Sequence, residues 1–167
     1  MNRTRTFSWT DPELLRANLR SLSGLEFLQR VAAGELPAPP MGKLMDIRIS
    51  EVQRGRVVFE GTPQEFHYNP LGMIHGGMAA TLLDSAIGCC VNSCLDAGDL
   101  YTTLELKINF LRPLTLGTGP VRAVATVIHI GRTTALAEGR ILDAADAIYA
   151  HASSTYLIRR VSPAATA

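Results

Sequence analysis

The stretch from Phe66 to Leu95, FHYNPLGMIHGGMAATLLDSAIGCCVNSCL, carries one formally charged side chain, Asp84. Its second half, from Gly77 to Leu95, is apolar or small nearly all round. A helix with no polar face is buried in a core or a membrane, and no run here approaches the roughly 20 apolar residues needed to span a bilayer. The stretch therefore predicts a core helix that the rest of the chain must wrap. It also predicts one carboxylate held where burial is costly, because isolated charges are almost never buried without a partner or a purpose.

The flanking sequence supplies strands for that wrap. Leu44 to Val52 and Arg56 to Gly61 flank a hairpin-like Arg54-Gly55 turn, with Ile47, Ile49, Val57 and Phe59 on the buried side. Beyond the helix, Thr103 to Leu111 alternates: Leu104, Leu106, Ile108 and Phe110 share one face, and Glu105, Lys107 and Asn109 the other. Gly119 to Ile130, Thr133 to Leu142 and Ile148 to Ile158 follow as three more strands, broken at Gly131-Arg132 and from Asp143 to Asp146. Two strands, one buried helix and four strands predict an α+β domain over 41–160, with an antiparallel sheet curved round the helix.

Residues 1–40 form an N-terminal arm. Asp11-Pro12 starts a helix carrying Leu14, Leu15, Leu19 and Leu22. Ser23 caps a second piece with Leu25, Leu28, Val31 and Ala32, which Gly34 ends. Pro37-Ala38-Pro39-Pro40 is expected to be an extended connector. The arm reads as a packing element that covers the sheet or a neighbour, and 161–167 as a flexible tail.

Composition narrows the function. A chain of 167 residues with 47% hydrophobic and 19% charged content belongs with ordinary soluble globular proteins. A formal net charge of +1 argues against nucleic acid or an anionic membrane as the main partner. The start, MNRTRTFSWTDPELL, lacks the apolar core of a secretory signal. Cys89, Cys90 and Cys94 crowd into the helical stretch without zinc-type spacing, which reads as reduced packing residues in a cytoplasmic protein. There is no GxSxG elbow, P-loop or GxGxxG.

The chemistry-bearing residues cluster round the core helix. His75-Gly76-Gly77 falls at its expected start, where backbone N–H groups lack intrahelical partners and can polarise a carbonyl oxygen that gains charge; the plainer role for the glycines is turn geometry. Asp84 follows Gly76 by eight residues, roughly 12 Å along a helix rising about 1.5 Å per residue. One helix cannot bring both groups to one reacting atom, whereas two antiparallel copies related by a two-fold axis can. Gly77, Ala80, Thr81, Asp84 and Gly88 make a low ridge that admits a partner helix or a thin substrate chain, or simply packs on the sheet. An enclosed Asp84 would titrate above about 3.9 and serve as a general base, or act as a hydrogen-bonded structural carboxylate. Asn69, before Pro70, forms a turn or offers an amide to a water or carbonyl. His67, His75 and Asp84 match no metal-ligand spacing.

Asn69-Pro70-Leu71-Gly72, His75-Gly76-Gly77, Asp84 and the strand TTLELKINFLRP from Thr102 to Pro113 together resemble the hotdog-fold acyl-CoA thioesterases, closest to the phenylacetate-degradation-type (PaaI-like) branch. The resemblance covers roughly Gly42 to Ile158. It implies a curved antiparallel sheet wrapped round a central helix, a homodimer joined edge to edge and assembled further into a homotetramer, and active sites at the subunit interface. It implies hydrolysis of an acyl-CoA thioester to free acid and CoA: Asp84 as base or nucleophile, the Gly76 amide on the thioester carbonyl, Asn69 positioning water, and His75 holding the loop or contacting substrate. Gly77, a hydroxyl early in the next strand (Thr102 or Thr103) and Arg132 are the candidate substrate contacts, with Arg112, Arg159 and Arg160 also available for the CoA phosphates. Coenzyme A is then part of the substrate, and no cofactor, metal, nucleic acid or membrane is called for. The alternatives are a hydratase or dehydratase on the same scaffold, or a non-catalytic acyl-CoA binding module.

Overall fold

The computed structural model describes residues 2–161; the expected tail from 162 onward lies outside the described residues. The core helix is α4, Gly76–Asn92. Round it runs one antiparallel six-stranded sheet of β1 (Ile47–Gln53), β2 (Arg56–Gly61), β3 (Leu100–Phe110), β4 (Val121–Ile130), β5 (Thr134–Leu142) and β6 (Ile148–Arg159), ordered β1-β2-β4-β5-β6-β3. Gly55, at φ 74°, gives the β1–β2 turn the left-handed backbone that side chains resist.

Side-chain size explains how the helix sits in the sheet. Leu82, Leu83, Ile87 and Val91 of α4 are fully buried, and the sheet opposes them with Ala123, Ala125, Ala137 and Ala152, all 0% exposed. At Gly139 even a methyl group would come within 2.9 Å of Ile87. Large residues on the helix and small ones on the strands let the two interlock closely there. Register breaks at Ile49/Glu51, Thr103/Glu105, Val127/His129 and Ile141/Leu142 add the bend and twist that carry the sheet round the helix.

Two local expectations give way. The strand expected from Leu44 starts at Ile47, because Pro40–Met45 forms a short helix, α3. Proline suits the first helical turn, so Pro40 opens a helix where the sequence suggested only an extended connector; Asp46, left-handed at φ 56°, then ends it. The alternation of β3 also breaks. The bulge between Thr103 and Glu105 makes Leu104 an extra residue, which is 57% exposed, while Leu106 and Ile108 are partly buried.

The arm folds back on the domain. In α1 (Pro12–Ser21) the Asp11 side chain accepts from the Glu13 N–H at 3.0 Å, and in α2 (Gly24–Ala32) Ser23 caps the Glu26 N–H at 3.3 Å. Phe27 and Leu28 of α2 are buried against β1 and α4, and the Gly24 N–H donates to the Leu95 carbonyl at 3.0 Å. Among the described residues, no helix is long and apolar enough to cross a membrane.

Candidate active site

The loop before α4 is built by side chains that replace missing backbone partners. Asn69 Oδ1 accepts from the N–H groups of Leu71 (2.9 Å) and Met73 (3.1 Å), tightening the NPLG turn. Buried His67 accepts at Nδ1 from the Gln64 N–H (3.1 Å) and lies 3.2 Å at Nε2 from the Met45 carbonyl, so Nε2 carries the proton. Burial lowers its pKa, which keeps the ring neutral. The His67 carbonyl accepts the His75 N–H at 2.7 Å, which fixes the entry of the chain into the helix.

At the helix start His75 is the N-cap: its Nδ1 accepts from the Gly77 N–H at 2.8 Å. The Gly77 N–H is thereby occupied. The Gly76 N–H has no acceptor among the described residues and lines a hollow of about 250 Å³ with Met73, Phe110 and Arg112. A helix N-terminus of this kind offers a donor and partial positive charge to a carbonyl oxygen.

Asp84 is exposed in the single chain, not enclosed as expected, because its face of α4 lies beside the edge strand β3, where the sheet ends. Its Oδ1 accepts from Thr103 Oγ1 at 3.3 Å. Thr103 faces the helix because it lies before the bulge, paired with fully buried Tyr156. Thr102, paired with exposed Leu157, lies on the other face. Of the two candidate threonines, strict alternation would put Thr102 on the side of Leu104 and Leu106; the extra residue at Leu104 reverses the parity and brings Thr103 to the carboxylate. Beside them, Cys89 is pushed up to about 12 by burial, with the Asp84 charge adding to it, so it stays a thiol.

The other predicted residues separate. Gly76 and Asp84 line different cavities, as their spacing of roughly 12 Å along one helix requires. Arg132 sits at the β4–β5 turn with Arg54, Arg159 and Arg160, beside the end of α4, away from both. Arg160 there is held by Asp99 at 2.6 Å. Arg112 lies near Gly76 instead. No group of three or more His, Cys, Asp or Glu residues converges among the described residues. Sequence reasoning missed Tyr101, Tyr156 and Asn92, which surround the Asp84 face but look like ordinary core and helix-end residues in the sequence.

The chain is similar to known proteins. A family model described as "Thioesterase superfamily" matches residues 71–162. A protein of Saccharolobus solfataricus, provisionally named an esterase, is 31% identical over 118 residues, covering 71% of this chain and 82% of that one. The 1,4-dihydroxy-2-naphthoyl-CoA hydrolase of Listeria monocytogenes is 26% identical over 114 residues, covering 68% of this chain and 91% of that one. Among solved structures, the E. coli PaaI protein from the phenylacetic acid degradation operon superposes with a TM-score of 0.71 at 24% identity, covering 83% of this chain and 96% of that one.

Proposed function

The chain belongs to the thioesterase superfamily and is a thioester hydrolase, and on that premise we propose that it hydrolyses an acyl-CoA thioester at sites completed by two copies of itself. The observation that carries this reading is the separation of Gly76 and Asp84 on one helix, each facing its own opening. Strand β3 is a sheet edge, so its outer N–H and C=O groups can pair with β3 of a second copy about a two-fold axis. That places the helix start of one subunit opposite the Asp84 face of the other and takes the carboxylate out of bulk water.

The steps follow from the groups present. The thioester oxygen accepts the Gly76 N–H of one subunit, and the helix dipole favours the charge that grows on it. Asp84 of the other subunit takes a proton from water as the water oxygen attacks the carbonyl carbon. The tetrahedral oxyanion collapses, the C–S bond breaks, and the CoA sulfur leaves with the proton returned by Asp84. Thr103 holds the carboxylate through its hydroxyl. With its oxygen engaged in the loop, Asn69 contributes its amide hydrogens to the water, and His75 Nε2 faces the substrate while Nδ1 caps the helix.

Mixed dimers test this arrangement. Gly76→Pro removes the one N–H group invoked and suits the first helical position; His75, at φ −62° and ψ 135°, already has the backbone a following proline requires. Gly76→Pro and Asp84→Asn should each lower kcat by about a hundredfold or more. Co-refolding them should restore about a quarter of wild-type activity, because half the dimers are mixed and each mixed dimer holds one intact site. Two inactive chains that stay inactive when mixed would rule out the shared site, and near-normal hydrolysis by Asp84→Asn would rule out the base.

A further inference from the structure

A cavity of about 380 Å³ opens beside Asp84 and Thr103 and runs along α4 past Gly88 to Asn92. Asp84, Gly88 and Asn92 are four residues apart, so they share one helix face. The roof comes from the N-terminal arm: Phe27, Leu28 and Val31 of α2 close the hollow from above. At Gly88 the absent side chain leaves room, since an added methyl would lie 3.5 Å from the Tyr101 ring and 3.7 Å from the Tyr156 hydroxyl.

The body of the hollow is walled mainly by apolar side chains, with Asp84 and Thr103 at one end and Asn92 at the other. Asn92, 4% exposed, lines the hollow at the end remote from Asp84 and brings a polar side-chain amide there. Behind Gly88 the Tyr156 hydroxyl is buried without a hydrogen-bond partner among the described residues. Polar groups held in an apolar hollow favour a ligand that brings its own hydrogen-bonding group to meet them.

Resting on the reading of Asp84 given above, we propose that the N-terminal arm builds the acyl site: the hollow takes the acyl group of the thioester, apolar along its body and ending in a hydrogen-bonding group that meets Asn92. Two dimensions bound its size. From Asp84 to Asn92 is roughly 12 Å along the helix, and an extended chain advances about 1.2 Å per bond, giving about ten bonds. A cavity of about 150 Å³ holds the six carbons of benzene, so this volume sets a ceiling of about 15 carbons. The substrate class is thus a medium-length acyl-CoA of about eight to ten carbons, favoured when a hydroxyl stands at its far end.

The experiment is a kcat/KM series over straight-chain acyl-CoA thioesters from two to sixteen carbons, with decanoyl-CoA compared against ω-hydroxydecanoyl-CoA. The expected optimum lies at about eight to ten carbons, with the hydroxylated substrate favoured about five- to tenfold. Asn92→Leu should abolish or reverse that preference, and Val31→Phe, which fills the roof, should move the optimum to shorter chains. An optimum at two to four or at sixteen carbons overturns the proposal, as does a profile that neither substitution moves. Asp84→Asn is assayed alongside: loss of hydrolysis there, with a profile unmoved by Asn92→Leu and Val31→Phe, overturns the acyl site alone. Retained hydrolysis by Asp84→Asn overturns the parent reading and this one with it.

Discussion

Gly24→Ala should peel the arm from the domain. Gly24 is buried at the start of α2, where its N–H meets the Leu95 carbonyl at 3.0 Å. A methyl group there would lie 1.8 Å from the Asn92 carbonyl oxygen. That oxygen is α4 backbone and cannot swing aside, so α2 must withdraw by about 1.5 Å to reach ordinary contact, more than enough to forfeit half of the dispersion contact across the gap. Phe27 and Leu28, at 8% and 2% exposure, are the side chains that lose it. Each is worth about 1.5–3 kcal/mol when fully buried, so losing half of both costs about 1.5–3 kcal/mol. The broken Gly24–Leu95 hydrogen bond adds about 1 kcal/mol. A total of about 2.5–4 kcal/mol corresponds to a fall in Tm of about 5–16 °C for a domain of this size. Urea unfolding and calorimetry at matched protein concentration measure it, since association would make Tm depend on concentration. A loss below about 1 kcal/mol would show that α2 slides without penalty, and the packing argument for the arm would fail.

Two further outcomes follow from named contacts. Thr103→Val should lower kcat about fivefold through loss of the hydroxyl that donates to Asp84, while Thr102→Val, on the opposite face of β3, should keep the wild-type rate; equal effects in steady-state kinetics would contradict the bulge assignment. Burial pushes the Asp99 carboxyl up, but hydrogen bonds from Arg160 and from the Val161 and Asp96 N–H groups outweigh it and hold it below the usual carboxylate range. A carboxyl lowered in the folded state stabilises above its unfolded value, about 3.9, and loses that contribution as pH falls through the folded value. Asp99→Asn should therefore cost about 2 kcal/mol at pH 7, and the gap from wild type should hold down to about pH 5 and close below about pH 4. A gap that widens on acidification would reverse the sign of the argument.

The order of residues alone made the core helix, the strands and the fold class legible. Period-two alternation and an apolar helical run are local patterns, so Ile47, Ile49, Val57 and Phe59 could be placed inward before any contact was known. It also marked Gly76 and Asp84, because a glycine pair at a helix start and a lone acid in an apolar run stand out locally. Which threonine meets Asp84 was decided by tertiary structure, since one extra residue at Leu104 inverts every side chain before it, and alternation carries no mark of a bulge. Pro40 opening α3 was equally illegible, because proline both ends and begins helices. The exposure of Asp84 and the roofed hollow ending at Asn92 belong only to the folded chain. They arise where an arm from before the sheet crosses a helix in the middle of the chain, a meeting no local pattern encodes.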